Sequence, residues 1–72
     1  MIDRIIQTVS DTLKTEVTIQ TSQKNCVKWD SLNHVHLIVA LEEAFDITFE
    51  PDEITQMTDI RRIEQTINKK IL

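Results

Sequence analysis

Apolar residues recur at the spacing of an α-helix in three stretches of this chain, and this pattern constrains the fold more than any other feature. In the first stretch they stand three or four positions apart from Ile2 to Leu13, with polar or small residues between them. Asp3 near the start and Lys14 near the end suit the helix dipole. The spacing predicts a helix over residues 2–14.

Residues 15–30 show no sustained period and are mostly Thr, Gln, Lys and Asn. We expect a long loop there, held to the core by its few apolar side chains: Val17, Ile19, Cys26, Val27 and Trp29. A Thr-Ile-Gln-Thr strand is conceivable, but it would have no partner strand.

The second helix should begin at Asp30–Ser31, because either side chain can cap a first turn, and should run to Phe45 or Asp46. After a connector, Pro51 is suited to the first position of a short helix over 51–57.

Thr58 or Asp59 should cap the fourth helix, which has an apolar stripe of Ile60, Ile63, Ile67 and Ile71 and carries Lys69 and Lys70 in its last turn. The sequence therefore predicts an all-α four-helix bundle of three main helices and one short helix.

Length and composition exclude several classes of protein. Seventy-two residues suit one domain, 1–72, and leave little volume for a closed active-site pocket. The single cysteine forms no intrachain disulfide or zinc ribbon. The longest apolar run, 37–41, is too short to span a membrane, and the polar amino terminus does not fit a signal peptide. We expect a cytoplasmic protein.

The charge is −4, from 8 basic and 12 acidic side chains. This balance argues against nucleic-acid binding, which requires a basic surface. Residues 42–59 hold seven acids and no Lys or Arg. That segment is either a solvated face that keeps the protein in solution or a field that steers a basic partner.

The second helix has two apolar faces. At about 100° per residue, one arc contains residues that should face the core, namely Leu37, Ile38, Leu41, Ala44 and Phe45. Leu32, Val35 and Val39 form a separate outer stripe, with Glu42 beside it. This outer stripe either packs under the 15–30 loop or docks partner proteins, and the angles alone leave both interpretations open.

Asp30-Ser31-Leu32, followed by Ala40-Leu41-Glu42-Glu43 and Phe45-Asp46, closely resembles the acyl carrier proteins. Pro51-Asp52-Glu53 leading to Thr58, Asp59 and Ile60 continues the resemblance, which covers residues 1–72. It implies the acyl-carrier bundle and a single carrier domain that is not itself an enzyme and has no catalytic residues or metal ligands.

The resemblance also implies a cofactor, partners and site residues. A phosphopantetheinyl transferase would use coenzyme A and a divalent cation to attach 4′-phosphopantetheine to Ser31, with Asp30 positioning the metal or the serine. Leu32, Val35, Val39 and Glu42 match positions that meet partner enzymes. Those partners are a loading enzyme for acyl or aminoacyl groups and a downstream synthase or transferase. We expect a monomer until docking.

Some residues depart from the pattern of general fatty-acid carriers. Lys28 and Trp29 stand where those carriers usually have a glycine shortly before the Asp-Ser-Leu, and Asn33 and His36 replace acids early in the second helix. Trp29 is more typical of specialised carriers. The resemblance thus favours a dedicated acyl or aminoacyl pathway in secondary or specialised biosynthesis.

Three other interpretations use the same residues. Ser31 and His34 are spaced as a nucleophile and a base, but a hydrolase also needs an orienting acid, oxyanion donors and a pocket. Cys26, His34 and His36 suggest a metal, yet the two histidines point to different sides of one helix. The strongest rival is a helical interaction adaptor that never carries a prosthetic arm.

Overall fold

In the computed structural model, which describes residues 1–71, the first stretch forms helix α1 over Ile2–Leu13. Its buried residues are Ile5, Val9 and Leu13, on the face that the spacing indicated. Lys14 takes a left-handed conformation (φ 56°, ψ 46°) and its amide donates to the Ser10 carbonyl. The helix therefore stops one residue before the predicted end.

Helices α2, α3 and α4 span Ser31–Phe45, Pro51–Gln56 and Ile60–Ile71. The all-α prediction of three main helices and one short helix is confirmed over residues 1–71. Asp46 ends α2 in a left-handed conformation, and α3 stops one residue short of the predicted 57. The Asp59 carboxylate caps α4 by accepting from the Arg62 amide at 2.8 Å.

The core is one cluster of apolar side chains drawn from the helices and their connections. Its buried members are Ile5, Val9, Leu13, Val17, Trp29, Leu37, Ile38, Leu41, Phe49, Met57, Ile60, Ile63 and Ile67. Ala44 and Phe45, which were expected beside Leu37 on the core arc, are half-buried. The Arg4 side chain donates to the Ala44 carbonyl and lies over the Phe45 ring, 4.7 Å from its centroid, which links α1 to the end of α2.

The apolar stripe of α4 is buried over only part of its length. Ile60, Ile63 and Ile67 are fully buried, but Ile71 is 47% exposed. The stripe continues along the helix beyond the point at which the other helices cover it. Periodicity identifies a face, but it does not reveal how far along that face the core extends.

The long loop is held to the core at both ends, by Val17 near α1 and by Trp29 just before α2. Val27 was expected to help, but it is 96% exposed. The middle of the loop pairs with the α3–α4 connection through an isolated bridge between Ser22 and Asp59. The loop thus finds a backbone partner that the sequence did not indicate.

No helix within residues 1–71 is both long enough and apolar enough to cross a membrane. No group of three or more His, Cys, Asp or Glu side chains is arranged in this range to hold a metal ion, so Cys26, His34 and His36 do not form a metal site.

Candidate functional site

Asp30 fixes the start of α2. Its backbone is extended (φ −91°, ψ −177°), and its carboxylate accepts from the Asn33 amide at 2.8 Å. Its carbonyl accepts from the His34 amide at 2.9 Å. Because Asp30 supplies the cap, Ser31 is the first helical residue, and its side chain is exposed.

Asn33 joins this first turn to the preceding loop. Its side-chain Nδ2 donates to the Lys28 carbonyl at 2.7 Å, while its backbone amide is held by Asp30. From the sequence, Asn33 counted only as a missing acid. Only the five-residue separation from Lys28 could have suggested this contact. That separation occurs between many residues that do not touch, so it does not predict a hydrogen bond.

The dipole of α2 favours a phosphate at Ser31, while the Asp30 carboxylate already occupies the Asn33 amide. The first turn of a helix presents backbone amides and the positive end of the dipole, both of which stabilise an anion. An exposed hydroxyl at this position is also accessible to a second protein. The arrangement is therefore suited to modification of Ser31 by another enzyme.

His34 is not arranged to act as a base toward Ser31. The Trp29 indole Nε1 donates to His34 Nδ1 at 3.0 Å, and His34 Nε2 lies 2.8 Å from the Ile54 carbonyl oxygen in α3. An indole nitrogen can only donate, so His34 Nδ1 accepts. Nε2 therefore carries the ring proton and donates a hydrogen bond to the Ile54 carbonyl. Both ring nitrogens are occupied, which argues against the Ser–His hydrolase.

The outer stripe is open to solvent. Leu32, Val35 and Val39 are 66%, 57% and 48% exposed, whereas Leu37 and Leu41 on the opposite side of α2 are fully buried. The interpretation in which this stripe packs under the 15–30 loop is therefore wrong. Three apolar side chains on one exposed helical face form a surface of the kind that proteins use for docking.

Glu42, at the edge of the outer stripe, has a contact within the fold. It is half-buried, and its Oε2 accepts from the Phe49 amide at 2.8 Å, so it anchors the connection between α2 and α3. Glu43 and Asp46 nearby are exposed. The exposed carboxylates at this end of α2 are therefore those of Glu43 and Asp46.

Among the titratable groups of residues 1–71, Glu53 in α3 has a pKa that is clearly lowered. The hydrogen bond from the Glu50 amide lowers the pKa of its carboxyl, and the Lys70 ammonium lowers it further. Lys70 Nζ lies 2.8 Å from Glu53 Oε1 and also sits over the Phe49 ring, 5.8 Å from its centroid. These contacts hold α3 against the end of α4.

Comparison with known proteins identifies the class to which this fold and site belong. The family described as the phosphopantetheine attachment site matches residues 3–67. An acyl carrier protein of Guillardia theta is 33% identical over 58 residues, which cover 81% of this chain and 72% of that protein.

The chain belongs to the phosphopantetheine-binding family of acyl carrier proteins. This confirms the resemblance drawn from the sequence. Proteins of this family are carriers and not enzymes, and their prosthetic group is covalently attached 4′-phosphopantetheine. The carrier role is thus established for this chain, and the question becomes which residues perform it and for what cargo.

Proposed function

We propose that this protein carries acyl or aminoacyl intermediates as thioesters on a 4′-phosphopantetheine arm attached to Ser31. It presents them to partner enzymes of a biosynthetic pathway. The observation that carries the proposal is the exposed Ser31 hydroxyl at the first position of α2, directly after the Asp30 cap.

The residues at this site fit the group. A phosphopantetheinyl transferase would form a phosphodiester at Ser31 Oγ, which loses its proton while the nucleotide part of coenzyme A departs. The start of α2, with the positive end of its dipole, would then hold the phosphate. The bound arm supplies the thiol that holds the cargo, and the protein supplies a fixed attachment point outside its core.

Asp30 is proposed to assist the transferase. One of its oxygens, Oδ1, is engaged with the Asn33 amide, but the side chain as a whole is exposed. A carboxylate has two oxygens and about four acceptor sites, so it can cap the helix and still face a divalent cation in the transferase. We propose that Asp30 positions that cation or the serine.

We propose that partner enzymes dock on the outer stripe of Leu32, Val35 and Val39. The stripe begins next to Ser31, so a partner that covers it also receives the arm. Glu42 was predicted to share this role; its bond to the Phe49 amide supports a second role in holding the surface in shape. Exposed Glu43 and Asp46 are available to orient a basic partner.

The pathway is proposed to be a dedicated one. Lys28 and Trp29 replace the glycine expected before Asp30-Ser31, and Asn33 and His36 replace acids near the start of α2. The partner-facing surface is therefore less negative there than in general fatty-acid carriers. A cytoplasmic location and a monomeric state before docking remain predictions from the sequence.

Intact mass tests the proposal. Incubation with coenzyme A, Mg²⁺ and a broad-specificity transferase should add one phosphopantetheine to the wild-type chain. Ser31→Ala should abolish the gain, while Ser22→Ala, the matched control in the loop, should retain it. A wild-type chain that gains no mass would favour the unmodified interaction adaptor instead.

A further inference from the structure

Helix α4 is basic in a chain that is otherwise acidic. Ile60–Ile71 carries four basic side chains and one acid, while the remainder of the chain has four bases and eleven acids. At about 100° per residue, four polar residues lie on the side of α4 that faces away from its buried isoleucines: Arg62, Gln65, Thr66 and Lys69. Two of the four bases of α4 are therefore presented on its outward side.

These four residues and Gln56, the last residue of α3, line an open groove of about 250 Å³. We call it the α4 groove. Its two cations and two glutamines are exposed, and Thr66 is half-buried. Pockets that enclose small molecules are mostly apolar and usually larger. The α4 groove is therefore suited to charged groups that another macromolecule presents.

We propose that the α4 groove binds an extended acidic segment of a partner protein and is a second docking surface, separate from the outer stripe of α2. The inference goes beyond the proposed function, because it requires neither Ser31 nor the arm.

The two cations of the groove are available to an incoming carboxylate. Lys69 forms no ion pair within residues 1–71, whereas Lys70 is held by Glu53 at 2.8 Å. Arg62 Nε lies 3.6 Å from Asp59 Oδ2, beyond the usual hydrogen-bond distance, and the Arg62 side chain is 60% exposed. A guanidinium has five N–H donors in a planar fork that matches a carboxylate, so Arg62 can bind a second acid.

The separation of the two cations favours an extended ligand. Arg62 and Lys69 are seven residues apart, which places their backbone atoms about 10 Å apart along the helix axis. The Debye length is about 8 Å at physiological ionic strength, so a small anion bound at one cation is largely screened from the other. An extended chain advances about 3 Å per residue, so acids three residues apart can reach both cations.

The neutral residues of the groove suit the backbone of a peptide. The Gln56 and Gln65 amides can donate to peptide carbonyls and accept from peptide N–H groups. Thr66 Oγ1 donates to the Arg62 carbonyl at 2.9 Å, which leaves its oxygen able to accept a hydrogen bond. The groove therefore offers contacts to a peptide backbone as well as to its acids.

A protein segment is favoured over a nucleic acid. Duplex DNA carries one negative charge per about 1.7 Å of its axis, and this dense charge would be repelled by the eleven acids outside α4. The sparse acids of a peptide need to contact only the groove. Charge complementarity thus indicates an acidic polypeptide.

The α4 groove and the outer stripe can be occupied at the same time. Helix α1 packs against both α2 and α4, and the buried faces of these two helices contribute to one core. Their solvent-facing sides therefore point in different directions. A partner bound at the groove keeps the carrier nearby while the outer stripe engages an enzyme, and such a tether raises the effective concentration of the second contact.

An NMR titration of the isotope-labelled chain tests the inference. The probe is a nonapeptide of three Glu-Ser-Gly repeats with both ends capped, and the comparison ligands are its Gln-Ser-Gly counterpart, inorganic phosphate and a thymidine nonanucleotide. We expect the Glu peptide to shift the amides of α4 and to bind at least about threefold more tightly than the other three, because it alone pairs with both cations. Added salt should weaken its binding.

Substitutions separate the groove from the effect of charge in general. Lys69→Gln should weaken binding of the Glu peptide at least about threefold, while Lys24→Gln, the matched loss of one exposed charge in the loop, should change it by less than about twofold. Asp59→Asn should strengthen binding, because it removes the acid beside Arg62 and can still cap α4. Circular dichroism checks that each variant is folded.

Equal affinity for the Glu and Gln peptides, or unchanged affinity in Lys69→Gln, would overturn the inference. Tighter binding of the nonanucleotide or of phosphate than of the Glu peptide would also overturn it, in favour of a nucleic-acid partner or a small anion. Ser31→Ala should bind the Glu peptide as the wild type does. A failure of modification at Ser31 would therefore leave this result unaffected.

Discussion

At the scale of single residues, Val39 and Leu37 show how one helix separates surface from core. They stand two positions apart, yet Val39 is half exposed and Leu37 is fully buried. We predict that Val39→Asp keeps the fold, because its carboxylate stays in water, but slows loading by partner enzymes, because docking would have to desolvate that charge. Thermal melting and the rate of loading measure the two effects.

Leu37→Ala is the control for this prediction. It removes buried methyl groups and should lower the free energy of unfolding by about 2–5 kcal/mol. If Val39→Asp instead lost its helical spectrum, Val39 would belong to the core and the outer stripe would not be a docking surface.

Asp30 caps α2, and we propose that it also assists the transferase; one pair of substitutions separates the two roles. Asparagine caps helices as well as aspartate does, so Asp30→Asn should leave stability unchanged and slow the modification of Ser31 by removing the charge. Asp30→Ala should slow modification and also lower the free energy of unfolding by about 1 kcal/mol. Urea unfolding and the initial rate of mass gain distinguish them. Equal modification rates for wild type and Asp30→Asn would contradict a role for the carboxylate charge.

At the scale of elements, the end of α1 carries a conformation that its sequence does not favour. Lys14 has a positive φ of 56°, a region in which a side chain with Cβ is strained and glycine is not. We predict that Lys14→Gly raises the free energy of unfolding by about 0.5–1 kcal/mol. Lys24→Gly is the control, since Lys24 lies in a turn outside the positive-φ positions of residues 1–71. If urea unfolding showed no increase in the free energy of unfolding for Lys14→Gly, the positive φ of Lys14 would not be a source of strain.

The ion pair between Glu53 of α3 and Lys70 of α4 should stabilise the fold to an extent that depends on pH. The pKa of Glu53 is lowered from its ordinary value of 4.5, first by the Glu50 amide and then by Lys70. A carboxyl whose pKa is lower in the folded state stabilises the fold above its unfolded pKa, and this contribution is lost as the pH falls through the folded value. We predict that Glu53→Gln is less stable than wild type at neutral pH and that the difference shrinks below pH 4.5.

Urea unfolding across the acid range measures this difference. Glu43→Gln, at an exposed position of α2, is the control and should show a smaller effect at neutral pH. A Glu53→Gln deficit that stays constant down to about pH 3 would show that the charge of Glu53 is not its source.

At the scale of the whole molecule, the helices were predictable from the sequence and their mutual contacts were not. The period of apolar residues placed α1, α2 and α4 within one or two residues, because it reflects which face is buried. The partners of the 15–30 loop could not be predicted, since pairing of Ser22 with Asp59 depends on where the α3–α4 connection lies in space. His34 illustrates the same limit, because its partners lie five residues before it and twenty after it.

The candidate site also has some features that the sequence predicts and others that only the fold reveals. The position of Ser31 at the start of a helix and the angular separation of the outer stripe follow from local rules of capping and periodicity. The bond from the Phe49 amide to Glu42 and the bond from His34 to the Ile54 carbonyl depend on tertiary packing. The sequence therefore predicted an exposed Ser31 at the start of α2 and a separate outer stripe, while the three-dimensional fold was needed to find the contacts of Glu42 and His34.

The attachment of the arm at Ser31 is tested most directly by locating the modification within the chain. After incubation with coenzyme A, Mg²⁺ and transferase, cleavage after Lys28 and Arg61 releases the peptide 29–61, in which Ser31 is the only serine. We predict that fragmentation of this peptide places one phosphopantetheine on Ser31 and that the other peptides are unmodified. A phosphopantetheine on any other residue, or a chain that remains unmodified, would contradict the account.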